Sequence, residues 1–237
     1  CDGDVDEGDP QGGGNCQTGL PGVCAPGREH CREGAIVCEQ NIDVSAEICD
    51  GLDNDCDGVV DEGFADLDDL PDDDFSDTNC DGIDGDAEDA IFLSTGGDDA
   101  AAGTRAAPVR TMQRAIALAA GQNKYVLASN GNYPGRVTLA SGVHIFGGYQ
   151  SQNGWRRSND AVTIIDGDTI GLVASQLDDT TQVDRVSIRS QNTAQVGASS
   201  YGIRVEESGP HLIMSNVHVR SGDGSPGLDG QNGSPGS

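Results

Sequence analysis

Between Glu47 and Gly63 the chain reads EICDGLDNDCDGVVDEG, and no other stretch limits so strongly what the surrounding chain can fold into. Asp53, Asp55 and Asp57 alternate, Gly58 follows, and Asp61 closes the run. Carboxylates this dense repel one another unless they are neutralised. A hard cation does so with six to eight oxygens, and carboxylates at every second residue converge on it if the chain turns sharply after the third. Gly58 permits that turn because glycine tolerates positive φ. Val59 would add its backbone carbonyl, and Asp61 a carboxylate or a bound water. Asp50 and Glu62, which flank the run, are further candidate ligands.

The charge is confined to one half of the chain. Residues 1–100 carry 30 of the 40 acidic residues but only Arg28 and Arg32 of the 13 basic ones. Such a half is either disordered or loaded with cations. The cysteines decide between these, because all eight lie there, at positions 1, 16, 24, 31, 38, 49, 56 and 80, a disulfide-scaffold density. No two are spaced CxxC and the four histidines are scattered, which argues against structural zinc. An oxidising, extracellular or cell-surface location follows. There is no run of about 18 apolar residues that would read as a transmembrane helix.

The opening residues CDGDVDEG match CDGVVDEG, Cys56 to Gly63, at all but one place, so the chain reads as starting inside a repeat. Asp2 and Asp6 then occupy the places of Asp57 and Asp61. A lipidated Cys1 is the alternative. The unit between the copies holds Cys16, Cys24, Cys31, Cys38, Cys49 and Cys56, enough for three bridges in any of fifteen connectivities. With little apolar periodicity among these cysteines, bridges and metal must replace a core.

Asp53 to Asp61 keeps the spacing of the first nine positions of an EF-hand loop, but Phe64 stands where the bidentate Glu belongs and Cys49, Cys56 and Gly63 stand where helices would be. A loop-only site of the thrombospondin type 3 kind fits better. GxxGVCxxGxxxCxxGxxxC followed by EICDGLDNDCDGVVDEG resembles the MopE-type metal-binding repeat of secreted bacterial proteins, over residues 1–63. The family name implies copper. The residues offer oxygen only, with no paired His, Met or thiolate, so calcium is expected, as two or more ions, with an acidic turn that holds no specific metal the alternative.

A third acidic loop follows in DTNCDGIDGDAE. Asp77, Asn79 and Asp81 take positions one, three and five, Ile83 offers its carbonyl at seven, and Glu88 falls at twelve. The run DLDDLPDDDFSD before it has no glycine to turn on and reads as a solvated acidic linker, with ligands shared to a second ion the alternative.

After Asp99 the composition shifts. Pro108 is placed to start a short amphipathic helix, with Met112, Ala115, Ile116 and Leu118 to Ala120 on it and Gly121 as its stop. Short Val- and Ile-rich strands follow near 125, 137, 162, 170, 183, 201 and 211, separated by Gly, Asn, Asp and Ser, at the recurrence of a solenoid. GTRAAPVRTMQRAIALA, SNGNYPGRVTLASGVHIFGGY, WRRS and TIIDG resemble the opening of secreted right-handed parallel β-helix proteins of the pectin-lyase-like superfamily. That resemblance implies a mainly β fold in which the helix caps the first coil. A β-sandwich with the same strands is the alternative.

The chain closes on Gly224, Gly227, Gly230, Gly233 and Gly236, a collagen-like register too short for a triple helix and read as a loop or linker, with packing as a polyproline II strand the alternative. The expected organisation is residues 1–63 as stapled metal-binding repeats, 64–90 as acidic linker with the third loop, 91–221 as the parallel β-helix and 222–237 as the Gly-triplet segment.

The superfamily includes polysaccharide lyases and glycoside hydrolases, which need opposed or clustered acids with a nearby base. Asp166 and Asp168 alternate in TIIDGD, and Arg185, Arg189 and Arg204 could line a groove, but DGD is also an ordinary turn. His144, His211 and His218 form no metal spacing. The expectation is therefore no catalytic residue. It is a calcium-stabilised structural or adhesive surface protein, with a fibre subunit as one form, that self-assembles through the solenoid end or the Gly-triplet tail or binds a polysaccharide or cell-surface ligand. A carbohydrate-active enzyme or binding module is the alternative. Nucleic acid is excluded, because one half is acidic and the other near neutral.

Overall fold

The computed structural model describes residues 13–230, so the first repeat copy with Cys1, Asp2 and Asp6 lies outside the described residues. The described chain is mainly β with one α-helix. It forms two compact units, one reaching to Asp69 and including Asp77–Asp81, the other made of Leu70–Ser76 and Gly82 onwards.

The first unit contains an antiparallel sheet where loops are expected: β1 (Asn15–Gln17), β2 (Pro26–Arg32) and β3 (Ala35–Gln40), in that order. The two-residue turn Glu33–Gly34 between β2 and β3 has positive φ at both positions, as a type I′ hairpin requires. The sheet's register is pinned by covalent and charged contacts. The Cys16–Cys38 disulfide joins the outer strands across Gly27, where a Cβ would stand 2.7 Å from the Cys38 Sγ. Arg32 binds Glu39 on the neighbouring strand at 2.7 and 2.9 Å.

The six cysteines of the repeat do not close among themselves. Cys24 pairs with Cys56, but Cys49 pairs with Cys80, beyond the repeat. Asp69, buried, accepts from the Thr78 amide, and the chain so folded sets the Cys80 Cα 5.7 Å from that of Cys49, within disulfide reach. Cys31 is disulfide-bonded as well, and no described cysteine is free.

The second unit begins its regular structure with β4 (Ala90–Leu93) and α1 (Met112–Gln122). The strands β5 (Tyr125–Ser129), β6 (Gly131–Pro134), β7 (Val137–Thr138), β8 (Ile145–Gln150), β9 (Arg156–Arg157), β10 (Thr163–Asp166) and β11 (Ile170–Ser175) come next. The last are β12 (Thr181–Asp184), β13 (Val186–Arg189), β14 (Tyr201–Glu206), β15 (Leu212–Ser215) and β16 (His218–Arg220). They stack into three sheets, ordered β15-β12-β8-β5-β4, β16-β13-β10-β6 and β14-β11-β7, parallel throughout except that β9 pairs antiparallel with β8. The chain visits the three sheets in turn and then repeats the circuit, so parallel neighbours come from successive passes, an arrangement that fits a β-helix.

Alternate residues point inward: Val126, Ala128, Ile145, Ile165, Leu172, Ala174, Val183, Val186 and Ile188 form one buried cluster. Met112, Ala115, Ile116 and Ala119, one face of α1, belong to the same cluster. The helix starts later than Pro108. Thr111 is its N-cap, its hydroxyl accepting from the Arg114 amide, because Val109 is occupied in extended pairing with β4 through Phe92 and Ser94. It passes through Gly121 and stops at Asn123, which is left-handed.

The outer face of β4, β5 and β8 carries a second cluster of Phe92, Tyr125, Leu127, Phe146, Tyr149 and Trp155, joined by Ile83 and Ala90. Tyr149 donates to the Asp84 carbonyl and Tyr125 to that of Asp86, which fastens residues 83–90 over this face.

The stretch 70–76, expected as solvated linker, is also bonded in. Buried Arg157 donates to the Asp72 carbonyl and to the carboxylates of Asp84 and Asp184, and Arg185 binds Asp73 at 2.6 Å. The Phe75 ring lies 4.7 Å from the Arg185 guanidinium carbon and 5.7 Å from that of Arg157. Burial pushes the Asp84 carboxyl up to about 6 against the pull of Arg157. At the other end, residues 223–226 bond the 193–198 loop backbone to backbone, and a Cβ at Gly222 would meet Gln191 at 2.3 Å. Small residues here serve close packing of one pass on the next, so this part of the Gly-triplet stretch is not a free linker.

Candidate metal centre

Glu47 to Glu62 forms no helix or strand, and its backbone is organised by its own carboxylates. Glu47 accepts from the amides of Asn54 and Asp55 through Oε1, at 2.6 and 2.9 Å, and from that of Asp61 through Oε2 at 2.9 Å. Asp55 accepts from the Asp57 amide and Asp57 from that of Val59. Gly58, at φ +99°, turns the chain back so that its amide donates to Asp53 Oδ2 at 3.0 Å. From beneath, the Gly22–Cys24 turn presses on Asp53. The Val23 amide donates to the Asp53 carbonyl at 3.0 Å, a Cβ at Gly22 would stand 2.1 Å from that carbonyl, and the Cys24–Cys56 bridge fixes the approach.

Two groups of three carboxylates result, Glu47 with Asp53 and Asp55, and Asp55 with Asp57 and Glu62, each with ligand oxygens within 4.8 Å of one another. Oxygens on a calcium ion lie roughly 2.3–2.6 Å from it, so three within that spacing fit one coordination sphere. Asp53 is only 4% exposed, yet its Oδ1 has no hydrogen-bond partner, and neither has the buried Oε2 of Glu62. Buried polar atoms are ordinarily satisfied, so these oxygens are aimed at something other than protein donors. The Glu62 carboxyl is affected most by its own backbone amide, which lowers its pKa. Desolvation and the charges of Glu47, Asp57 and Asp55 together outweigh this and raise it above the usual range.

The donor set is oxygen throughout. The cysteines nearby are disulfide-bonded, and the two methionines, Met112 and Met214, belong to the other unit. These residues fit a hard, oxygen-seeking cation and do not fit copper, which prefers imidazole, thioether or thiolate.

Of the ligands expected from spacing, Asp55 comes together with Asp53 in one group and with Asp57 and Glu62 in the other. Asp61 joins neither. Its two oxygens accept from the amides of Asp50 and Gly51 at 3.1 Å, which makes it a backbone clamp. Asp50 is exposed and accepts from Leu52, while Val59 is 52% exposed. In the third loop Asp77 and Asn79 both accept from the Asp81 amide at 3.1 Å within the first unit. Ile83 is buried in the aromatic cluster of the second unit, where Glu88 is exposed. Spacing alone missed Glu47, an acid six residues before Asp53 whose reach across Cys49 shows only in the folded loop. It also missed Cys80 as the partner of Cys49.

On the second unit Asp166 accepts from the Asn132 side chain and stands in register with Arg189, which is in register with Arg220. Asp166, Arg189 and Arg220, with Asn192 and Asp223, line an open groove of about 270 Å³. Arg185 and Arg204 are engaged instead by Asp73 and Glu206. His144 accepts from the Gln182 amide at Nδ1, and burial lowers its pKa.

Residues 44–62 match the Cu-binding MopE family model, described as a metal-binding motif. Residues 95–224 match DUF1565, described as a protein of unknown function. No curated protein matches the chain, and no solved structure does.

Proposed function

The chain belongs to the DUF1565 family, a pectin-lyase-like β-helix family whose model spans more than half of its 237 residues, and from that premise we propose a calcium-stabilised structural or adhesive protein of the cell exterior. Its parallel sheets are read as a right-handed β-helix capped by α1, and its acidic unit as a calcium-binding module. One observation carries the calcium role: the buried, unpartnered Asp53 Oδ1 within an oxygen-only cluster. Three bridges between described cysteines support an oxidising location, and no described helix is long and apolar enough to cross a membrane.

The reading includes no turnover. Self-assembly belongs to the proposal as one way to cover the β14–β16 end, a further pass of chain being the other: inward-facing Val205 and Val219 are 52% and 50% exposed there, while their register partners one pass earlier, Ala174 and Ile188, are fully buried. The opposite edge, on β4, is taken by residues 103–109 of the same chain, so a fibre built by stacking one copy's end on the next has no acceptor there. Limited proteolysis with calcium or with chelator tests the proposal. Calcium should protect the Gly13–Asp69 stretch, and equal cleavage in both conditions would reject it.

A second reading, a carbohydrate-binding or carbohydrate-active surface, is favoured by the groove in which Arg189 and Arg220 stand one above the other beside Asp166 and Asp223. Release of reducing sugar from acidic or neutral polysaccharides would establish it over the structural one.

A further inference from the structure

The two carboxylate groups of the Glu47–Glu62 loop share one member, Asp55. If all five side chains addressed a single ion, their oxygens would converge as one group. They divide instead into Glu47, Asp53, Asp55 and Asp55, Asp57, Glu62. Each group has its own buried oxygen without a protein donor, Asp53 Oδ1 in the first and Glu62 Oε2 in the second. The charge agrees. Five carboxylates leave three negative charges against one divalent cation and one against two, and the only bases in the first hundred residues are Arg28 and Arg32, of which Arg32 is bound to Glu39.

We propose that this one loop holds two divalent cations of the calcium type side by side, with the Asp55 carboxylate bridging them. Glu47 and Asp53 complete one ion, and Asp57 and Glu62 the other. This rests on the calcium reading above and adds to it a count, a bridge and two ligands, Glu47 and Glu62, that lie outside the spacing of an EF-hand loop. A bridging carboxylate places both ions within a few ångströms, so the second binds beside the charge of the first and both are lost if the bridge is removed. Asp61, engaged by the Asp50 and Gly51 amides, is no ligand to either.

The test is native mass spectrometry of the full chain with calcium, comparing wild type with single variants so that ions bound elsewhere cancel. Asp55→Asn should lower the count by two, and Glu47→Gln and Glu62→Gln by one each. With terbium and europium loaded together, wild type should show terbium-to-europium energy transfer that Glu62→Gln abolishes. Free-thiol titration, zero when the bridges have closed, checks that each variant has folded. If Asp55→Asn does not close its bridges, the two glutamate variants decide alone. A loss of one ion or none in Asp55→Asn, or of none in Glu62→Gln, overturns the bridged pair. If Asp53→Asn still abolishes calcium-dependent protection from protease in that case, the calcium reading stands. A wild-type chain that takes up no calcium removes both.

Discussion

The two units of this chain solve the problem of staying folded in opposite ways. Among the described residues of the first unit, the only buried apolar side chains are Cys24 and Cys31, both half-cystines, while Ile36, Ile42, Val44, Ile48, Leu52, Val59 and Val60 are at least half exposed. What it buries instead is polar: Asp53, Asn54, Asp69 and Asn79. The second unit buries two apolar clusters and lines its interior with side chains supplied by successive passes. A sheet that repeats can build a core by stacking, whereas a loop of carboxylates needs covalent bridges and, on our reading, cations. Conditions that dissolve one kind of stability should therefore leave the other largely untouched.

The largest effect should come from the second unit's interior. Leu172→Ala removes a fully buried side chain and should cost about 3–5 kcal/mol. The fluorescence of the single tryptophan, Trp155, buried in the aromatic cluster, should report it equally with and without calcium. Next comes the Cys24→Ala, Cys56→Ala pair. It opens a loop of 32 residues and should cost about 3–4 kcal/mol, seen as protease sensitivity of the acidic unit with the Trp155 transition unmoved. A matching shift of that transition would mean the contrast between the units is false.

Chelation ranks third. Calcium at about ten times its dissociation constant contributes ~1.4 kcal/mol per site, so removal of the two ions proposed above should loosen the acidic unit by about 2.8 kcal/mol and leave the tryptophan signal alone. Thr111→Ala, which deletes the cap of α1, should cost about 1 kcal/mol in the tryptophan-monitored melt only.

The smallest effect is pH-dependent. Desolvation acts most strongly on Asp99 and raises its pKa, but the Thr111 amide and hydroxyl and the Arg110 amide together hold the carboxyl below its usual value. Its contribution is then present above about pH 4 and lost as pH falls through the lowered value. Wild type should lose slightly more stability than Asp99→Asn between pH 6 and pH 3 when both are followed by Trp155.

The parts legible in the sequence were those whose information is local. Alternating Asp53, Asp55 and Asp57 before Gly58 announced converging oxygens, and runs such as IGLVAS announced strands that the structure places at Ile170–Ser175. The β1–β3 sheet was hidden because neither of its faces packs on a core, which removes the period-two signal that marks a half-buried strand. Asp73 looked like one more solvated acid because its partner, Arg185, lies 112 residues away. Asp61 had the right spacing for a ligand, but the Asp50 and Gly51 amides took its oxygens, and Glu62, one place on, came into the cluster instead. Spacing names which residues can converge; competition among donors decides which of them do.

The order of the half-cystines has a consequence of its own. Cys16–Cys38, Cys24–Cys56 and Cys49–Cys80 overlap in sequence like links of a chain, so every peptide bond from Cys16 to Cys80 lies inside at least one closed ring. A single protease cut anywhere in that interval severs the backbone without releasing a fragment. On a non-reducing gel the nicked molecule would run at its full mass, and only a reductant would reveal the wound.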